Sequence, residues 1–259
     1  MCILFIAVNK HPKYPLIIAA NRDEFHKRPT QQSQFWESAP DVLGGIDMEA
    51  GGTWMGVTRH GKLAALTNIR DPNRIKSNAI SRGALVADFL KTDVTVSDYS
   101  SQISKSVDDY NGYNLLFGDL PSMDIRTFNS HLSEEQRLET GFYGLSNASL
   151  DVAWPKIQRG KKALEQYCET HKQLDTQALF SILADPTLAE DTELPKTGVP
   201  LEWEKRLSSI FITSEDYGTR ASTLLLMDKQ MHIYWYENSF DQYGEVTGSR
   251  AYDFPLEKS

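Results

Sequence analysis

The first twenty residues constrain the fold more than any other stretch of the chain. Ile3-Leu4-Phe5-Ile6-Ala7-Val8 and Leu16-Ile17-Ile18-Ala19-Ala20 are apolar throughout, and the turn-like His11-Pro12-Lys13-Tyr14-Pro15 separates them. A strand with one wet face alternates apolar and polar residues, whereas a continuous apolar run bounded by turn residues fits a strand buried on both faces. The chain therefore opens with two buried strands joined by a short loop.

Trp54 to Arg59 and Lys62 to Asn68 flank His60-Gly61, a two-residue connection suited to a hairpin. Further strands are expected at Tyr113 to Phe117, Ile125 to Phe128 and Ser209 to Thr213, with a second hairpin from Ser222 to Asp228 and Met231 to Tyr236. Helical periodicity appears from Ser81 to Leu90, with Ser81 as candidate cap, from Pro155 to His171, and from Asp175 to Leu183 with Asp175 as cap. Residues 185–206, with Pro186, Pro195, Pro200 and many acids, read as a surface loop. Strands lie at both ends and helices between them, without βαβ alternation. That order disfavours a doubly wound parallel sheet and favours antiparallel sheets covered by helices. A length of 259 residues fits a single domain, expected to span 1–259.

A net charge of −8 excludes a basic nucleic-acid binder, so no nucleic-acid partner is expected. Cys2 and Cys168 are too few for a disulfide framework and form no C-x-x-C pattern, which fits a reducing, cytoplasmic compartment. The apolar start has no positive n-region and is too short to span a bilayer, so neither a signal peptide nor a membrane-spanning segment is expected. The six histidines show no H-x-x-x-H or H-E-x-x-H spacing, and no metal site is expected. Gly44-Gly45 and Gly51-Gly52 match no phosphate-loop pattern and are expected to mark tight turns or close backbone approaches, as a mouth over a pocket.

Cys2 carries the most chemical information. Removal of Met1 before a small residue leaves a thiol and a free α-amine on one residue, nucleophile and base together. An α-amine with an ordinary pKa of about 7.7 to 8.0 can take the thiol proton near neutrality. Asn21-Arg22-Asp23-Glu24 directly follows the second strand, where antiparallel pairing brings it near the chain start. There Arg22 can hold a thiolate and Asp23 can accept a hydrogen bond from the ammonium. The alternative is a helix N-terminus with Asn21 as cap and Asp23 and Glu24 complementing the dipole.

Several ordered motifs make a resemblance specific. Met1-Cys2-Ile3, Ala19-Ala20-Asn21-Arg22-Asp23-Glu24-Phe25 with Arg28-Pro29, Gly44-Gly45-Ile46-Asp47 and Gly51-Gly52-Thr53-Trp54-Met55-Gly56 come first. Leu63-Ala64-Ala65-Leu66-Thr67-Asn68, Tyr143-Gly144-Leu145-Ser146-Asn147 and Tyr217-Gly218-Thr219-Arg220 follow. Together they resemble the NRDE family, that of transport and Golgi organisation 2, over essentially the whole chain. The resemblance implies an α+β fold, a four-layer αββα sandwich of antiparallel sheets like that of the N-terminal nucleophile hydrolases, with Cys2 at the nucleophile position.

The layout is also similar to the choloylglycine hydrolase and penicillin V acylase branch of those enzymes. On that pattern Cys2 attacks, Arg22 and Asp23 flank it, Asn147 offers an oxyanion donor, and Asn68 and Arg220 complete the site. Each of the last three has a plainer alternative: an Asn at a turn caps local backbone, and an Arg before a strand lies on the surface. Two functions follow from the resemblance. One is hydrolysis of an amide or thioester of an apolar, acid-bearing molecule, which requires no cofactor. The other is carriage of haem, or handling of acyl-CoA and lipid, in which the ligand's carboxylates pair with Arg22 or Arg220.

Overall fold

The structure is a computed structural model, and it describes residues 2–257. Strand β1 (Cys2–Val8) and strand β2 (Leu16–Phe25) pair antiparallel, from Cys2 opposite Arg22 to Val8 opposite Leu16. These are the two expected buried strands, and they lie inside a sheet rather than at its edge. β1 pairs on its other side with β10 (Gly141–Leu145), and β2 pairs with β11 (Tyr217–Met227), which continues into β12 (His232–Phe240) and β13 (Val246–Pro255).

The second sheet runs in simple sequence order: β3 (Thr30–Trp36), β4 (Ala39–Asp47), β5 (Met55–Thr58), β6 (Lys62–Asn68), β7 (Tyr113–Asp119), β8 (Asp124–Asn129) and β9 (Glu134–Arg137). Every strand pair in both sheets is antiparallel.

Strand periodicity then builds the layers. Leu4, Ile6 and Val8 of β1 and Leu16, Ile18 and Ala20 of β2 face the second sheet, where Leu43, Met55, Val57 and Leu116 meet them. The alternate residues Ile3, Phe5, Ala7, Ile17 and Ala19 face outward onto helices α3 (Pro155–Thr170) and α4 (Thr176–Leu183). The outer face of the second sheet is covered by α1 (Gly83–Lys91) and α2 (Val96–Lys105) through Leu85, Phe89, Tyr99 and Ile103. The result is the expected four-layer αββα sandwich. Burial of both faces of β1 and β2 is why their sequences carry no polar alternation. Among the described residues, no helix is long and apolar enough to cross a membrane.

Several local readings change. Ser209 to Thr213 is not a strand, although Ile210 and Ile212 are buried. Its backbone is satisfied by scattered partners instead of a ladder: Ile210 N and Phe211 N both donate to Asp185 O, Asn21 Nδ2 donates to Ile210 O at 3.0 Å, and Ile212 N donates to Thr219 Oγ1 at 3.0 Å. Residues 185–206 are not wholly a surface loop, because they hold the short helix α5 (Leu201–Arg206) and the buried Glu204. Ser81 does not cap α1, whose N-cap position is Arg82 and carries no side-chain cap, whereas Asp175 caps α4 as expected, accepting from Ala178 N. Asn21 caps no helix either, since Asn21 to Glu24 are all strand residues of β2.

Candidate active site

At the ends of β1 and β2 where Cys2 meets Arg22, the two sheets part and leave a cleft of about 340 Å³. Cys2, Arg22, Asp23 and Asn68 all line it, as do Trp54 and Arg82. Strand parity decides who faces whom. Cys2 shares the inter-sheet face with Leu4, and Arg22 shares it with Ala20 and stacks on the Trp54 ring of the opposite sheet, 4.6 Å from its centroid. That indole has room only because residue 45 is glycine. A Cβ there would lie 2.1 Å from the ring. Gly52 acts likewise at the cleft wall, where a Cβ would lie 2.5 Å from the Gly83 carbonyl carbon at the start of α1.

Asn21 points the other way, into the helical layer. Its amide donates to Leu183 O at 2.8 Å, a carbonyl at the end of α4, and its oxygen accepts from Ser222 Oγ at 2.6 Å. Asp23 is 1% exposed and accepts from Thr219 Oγ1 at 2.8 Å.

Burial dominates the electrostatics. It pushes the Cys2 thiol above its ordinary value and the Asp23 charge adds to this, while Arg22 and a hydrogen bond from the Asp23 backbone N–H act in the opposite sense. Burial likewise raises the Asp23 carboxyl, against the pull of Lys156, the Thr219 hydroxyl and Arg22. A thiol with a raised pKa is a poor nucleophile on its own and needs an adjacent base. The expected removal of Met1, which would supply that base, concerns a residue outside the described range.

Asn147 and Arg220 sit apart from the cleft lining. Asn147 Nδ2 donates to the backbone oxygen of Asn68 at 2.9 Å, so its amide braces a strand end instead of projecting into the cleft. It belongs to a polar staple between the sheets. Ser146 Oγ donates to Cys2 O at 3.2 Å, Thr67 Oγ1 donates to Ser146 O, and Asn114 Nδ2 donates to Ser146 O at 3.1 Å and Ala148 O at 2.7 Å. Arg220 occupies a bulge in β11, and its Nη1 donates to the carbonyls of Phe25, His26 and Arg28 at 2.9, 3.1 and 3.2 Å. It thereby clamps the turn that carries Arg28 to the cleft wall.

Other functional groups came without a sequence signal. Behind Asp23, in the helical layer, lies a buried charged cluster. Arg70 pairs with Glu204, Glu204 also accepts from Thr197 N at 2.8 Å, and Lys156 Nζ donates to Leu207 O at 3.0 Å. Burial draws the Lys156 ammonium down to about 7, with Arg70 adding to the effect and Asp23, Cys2 and Glu204 opposing it. Arg70 and Glu204 stand 134 positions apart, and no local pattern announces such a pair. Among the described residues, no group of three or more His, Cys, Asp or Glu side chains is placed to hold a metal ion.

The fold is that of the N-terminal nucleophile hydrolases. A conjugated bile acid hydrolase from Clostridium perfringens, solved in two variant forms, superposes with TM-scores of 0.55 and 0.53 at 11% and 10% identity. The matches cover 98% and 100% of this chain and 92% and 98% of the hydrolase.

Sequence relatives are nearer. The Transport and Golgi organization protein 2 homolog of Bos taurus is 37% identical over 257 residues, covering 92% of this chain and 93% of the relative. The Homo sapiens homolog is 34% identical over 99% of this chain and all of its own length, and the Drosophila melanogaster protein is 27% identical over 95% of each. The family model for Transport and Golgi organisation 2 matches residues 1–242, and the chain belongs to that family.

Proposed function

We propose that the chain is a cysteine N-terminal nucleophile hydrolase acting on a thioester or amide carbonyl. The observation that carries this reading is the placement of Cys2: the first residue of a central strand, 7% exposed at a cleft wall, directly opposite Arg22 and in a cleft that Asn68 also lines. With Met1 removed, the Cys2 α-amine takes the thiol proton, and the thiolate attacks the carbonyl carbon. Arg22 stabilises the thiolate, and the Asn68 side chain at the cleft wall donates to the developing oxyanion. The ammonium then protonates the leaving group, and water releases the acyl group from the thioester intermediate with the amine again as base. Asn147, Asp23 and Arg220 serve as positioning residues: the first fixes the Asn68 backbone, the second the chain start, and the third the Arg28 turn.

Carriage of haem fits the cleft less well. A flat macrocycle needs a wide apolar slot, whereas these walls present Arg22, Arg28, Arg82, Glu24, Asp47 and Glu49 within about 340 Å³. Acyl-thioester and N-acyl-amide panels of graded chain length, followed by thiol and amine release, test the reading. Saturable turnover of at least one class is expected. Failure of folded protein beginning at Cys2 to turn over any member would overturn it.

A further inference from the structure

Helix α3 lies on β1 in a direction that its contacts fix. His11, in the turn after β1, stacks on Tyr167, and its Nε2 donates to His171 O at 2.9 Å, so the end of the helix lies over the end of the strand. Nearer the middle, the Phe5 ring rests where residue 160 is glycine, since a Cβ there would lie 2.0 Å from Phe5 Cζ. One turn back along the helix, about 5.4 Å, is Lys156, and two residues back along β1, about 7 Å, is Ile3. The first turn of α3 therefore sets Lys156 at the level of Ile3, whose partner in β2 is Asn21. Asp23, two residues on, faces the same helical side.

Lys156 is 2% exposed and Asp23 1%. The Lys156 Nζ donates to a neutral carbonyl, that of Leu207, and a buried ammonium is costly without a countercharge. The other charges near Asp23 have prior claims. Arg70, from the segment after β6, is paired with Glu204 of α5. Arg22 leaves β2 on the opposite face and stacks on Trp54, and Glu24 shares that face. Tyr217 of β11 stays a neutral phenol, because burial holds it well above its ordinary value. On its own face Asp23 is thus left with Lys156, and each feels the other's field. On the cleft side, the Asp23 backbone N–H donates to the Cys2 sulfur. One residue connects the buried ammonium to the thiol.

We propose that Lys156 is a positioning residue of the Cys2 centre: from the helical side of the sheet its ammonium holds Asp23 ionised and favours the Cys2 thiolate. The consequence for catalysis rests on the hydrolase reading. The electrostatic link does not.

Alkylation of the full chain by iodoacetamide, a neutral reagent, with Cys2 followed by peptide mapping, reads the link without a substrate. Burial draws Lys156 down to about 7, so it is charged at pH 6.0 and neutral at pH 8.5. At pH 6.0, Cys2 is expected to react about tenfold faster in the wild type than in Lys156→Met, and at pH 8.5 the two rates converge to within about twofold. A role in packing alone would change both rates by the same factor. Equal rates at pH 6.0, or one ratio at both pH values, overturns the link and leaves the nucleophile standing.

Modification of Cys2 at neither pH removes the nucleophile instead. The link is then decided, as it is if Lys156→Met does not fold, by NMR titration of the wild-type chain labelled at lysine Cε. One lysine is expected to titrate near 7, and its midpoint to fall by about one unit in Asp23→Asn, where the carboxylate no longer favours the ammonium. Absence of any lysine titrating below about 9, or a midpoint unmoved by Asp23→Asn, overturns it.

Discussion

Replacing Cys2 with alanine lowers kcat by at least about a thousandfold while substrate dissociation constants move by less than about threefold, because the sulfur acts chiefly in the transition state. The thiol lies at the margin of the core, beside the cleft, so deleting one sulfur costs on the order of 1 kcal/mol of stability or less. Cys2→Ser retains the α-amine but offers a hydroxyl that gives up its proton far less readily than a thiol, and it also loses most turnover. Rapid-quench turnover and calorimetry on the same preparations check both arms. Weakened ligand affinity in Cys2→Ala, with no turnover in the wild type, would point to a carrier in which sulfur ligates its cargo.

The second large effect is on stability. Arg70→Met leaves the Glu204 carboxylate in the helical layer with only Thr197 as hydrogen-bond partner. Loss of one member of a buried ion pair costs about 3–5 kcal/mol, and melting should fall by on the order of 10 °C. Replacing both residues, as in Arg70→Met with Glu204→Met, recovers much of the loss. A double variant no more stable than Arg70→Met alone would show that Glu204 is not the group left uncompensated.

The sequence made some parts of this molecule legible for identifiable reasons. β1 and β2 are buried on both faces, which leaves an unbroken apolar signature. β3 and β4 escape because Thr30–Trp36 is largely polar and Ala39–Asp47 contains Pro40 and Gly44-Gly45, which read as turns. Those glycines belong to a strand, and Gly45 makes room for the Trp54 ring. β13 escapes for the opposite reason: it is a largely exposed edge strand with little apolar content. Ile210 and Ile212 carry the burial of a strand without a ladder, because Asn21, Asp185 and Thr219, all distant in sequence or outside any shared strand pair, satisfy the backbone there.

The candidate site divides in the same way. Cys2, Arg22, Asp23 and Asn68 line one cleft because Cys2 and Asn68 end their strands, Arg22 and Asp23 lie close to the end of β2, and the register of these strands is fixed by apolar residues. Asn147 and Arg220 share the neighbourhood but spend their donors on backbone carbonyls. The acceptors that claim them lie 79 and 195 positions away, beyond the reach of local pattern. Lys156 and Arg82 occupy the first turn and N-cap of helices, where their charges look solvated until the layers are assembled.

The central claim is that the nucleophile and its base share one residue. Mass spectrometry of native protein, acid-quenched during turnover of a slow acyl thioester, addresses it most directly. The account predicts an N-terminal peptide beginning at Cys2, lighter than the translated sequence by one methionine, with the acyl mass on that peptide and absent from Cys2→Ala. Met1 retained on protein that turns over, or the acyl group on Cys168 instead of Cys2, would contradict it.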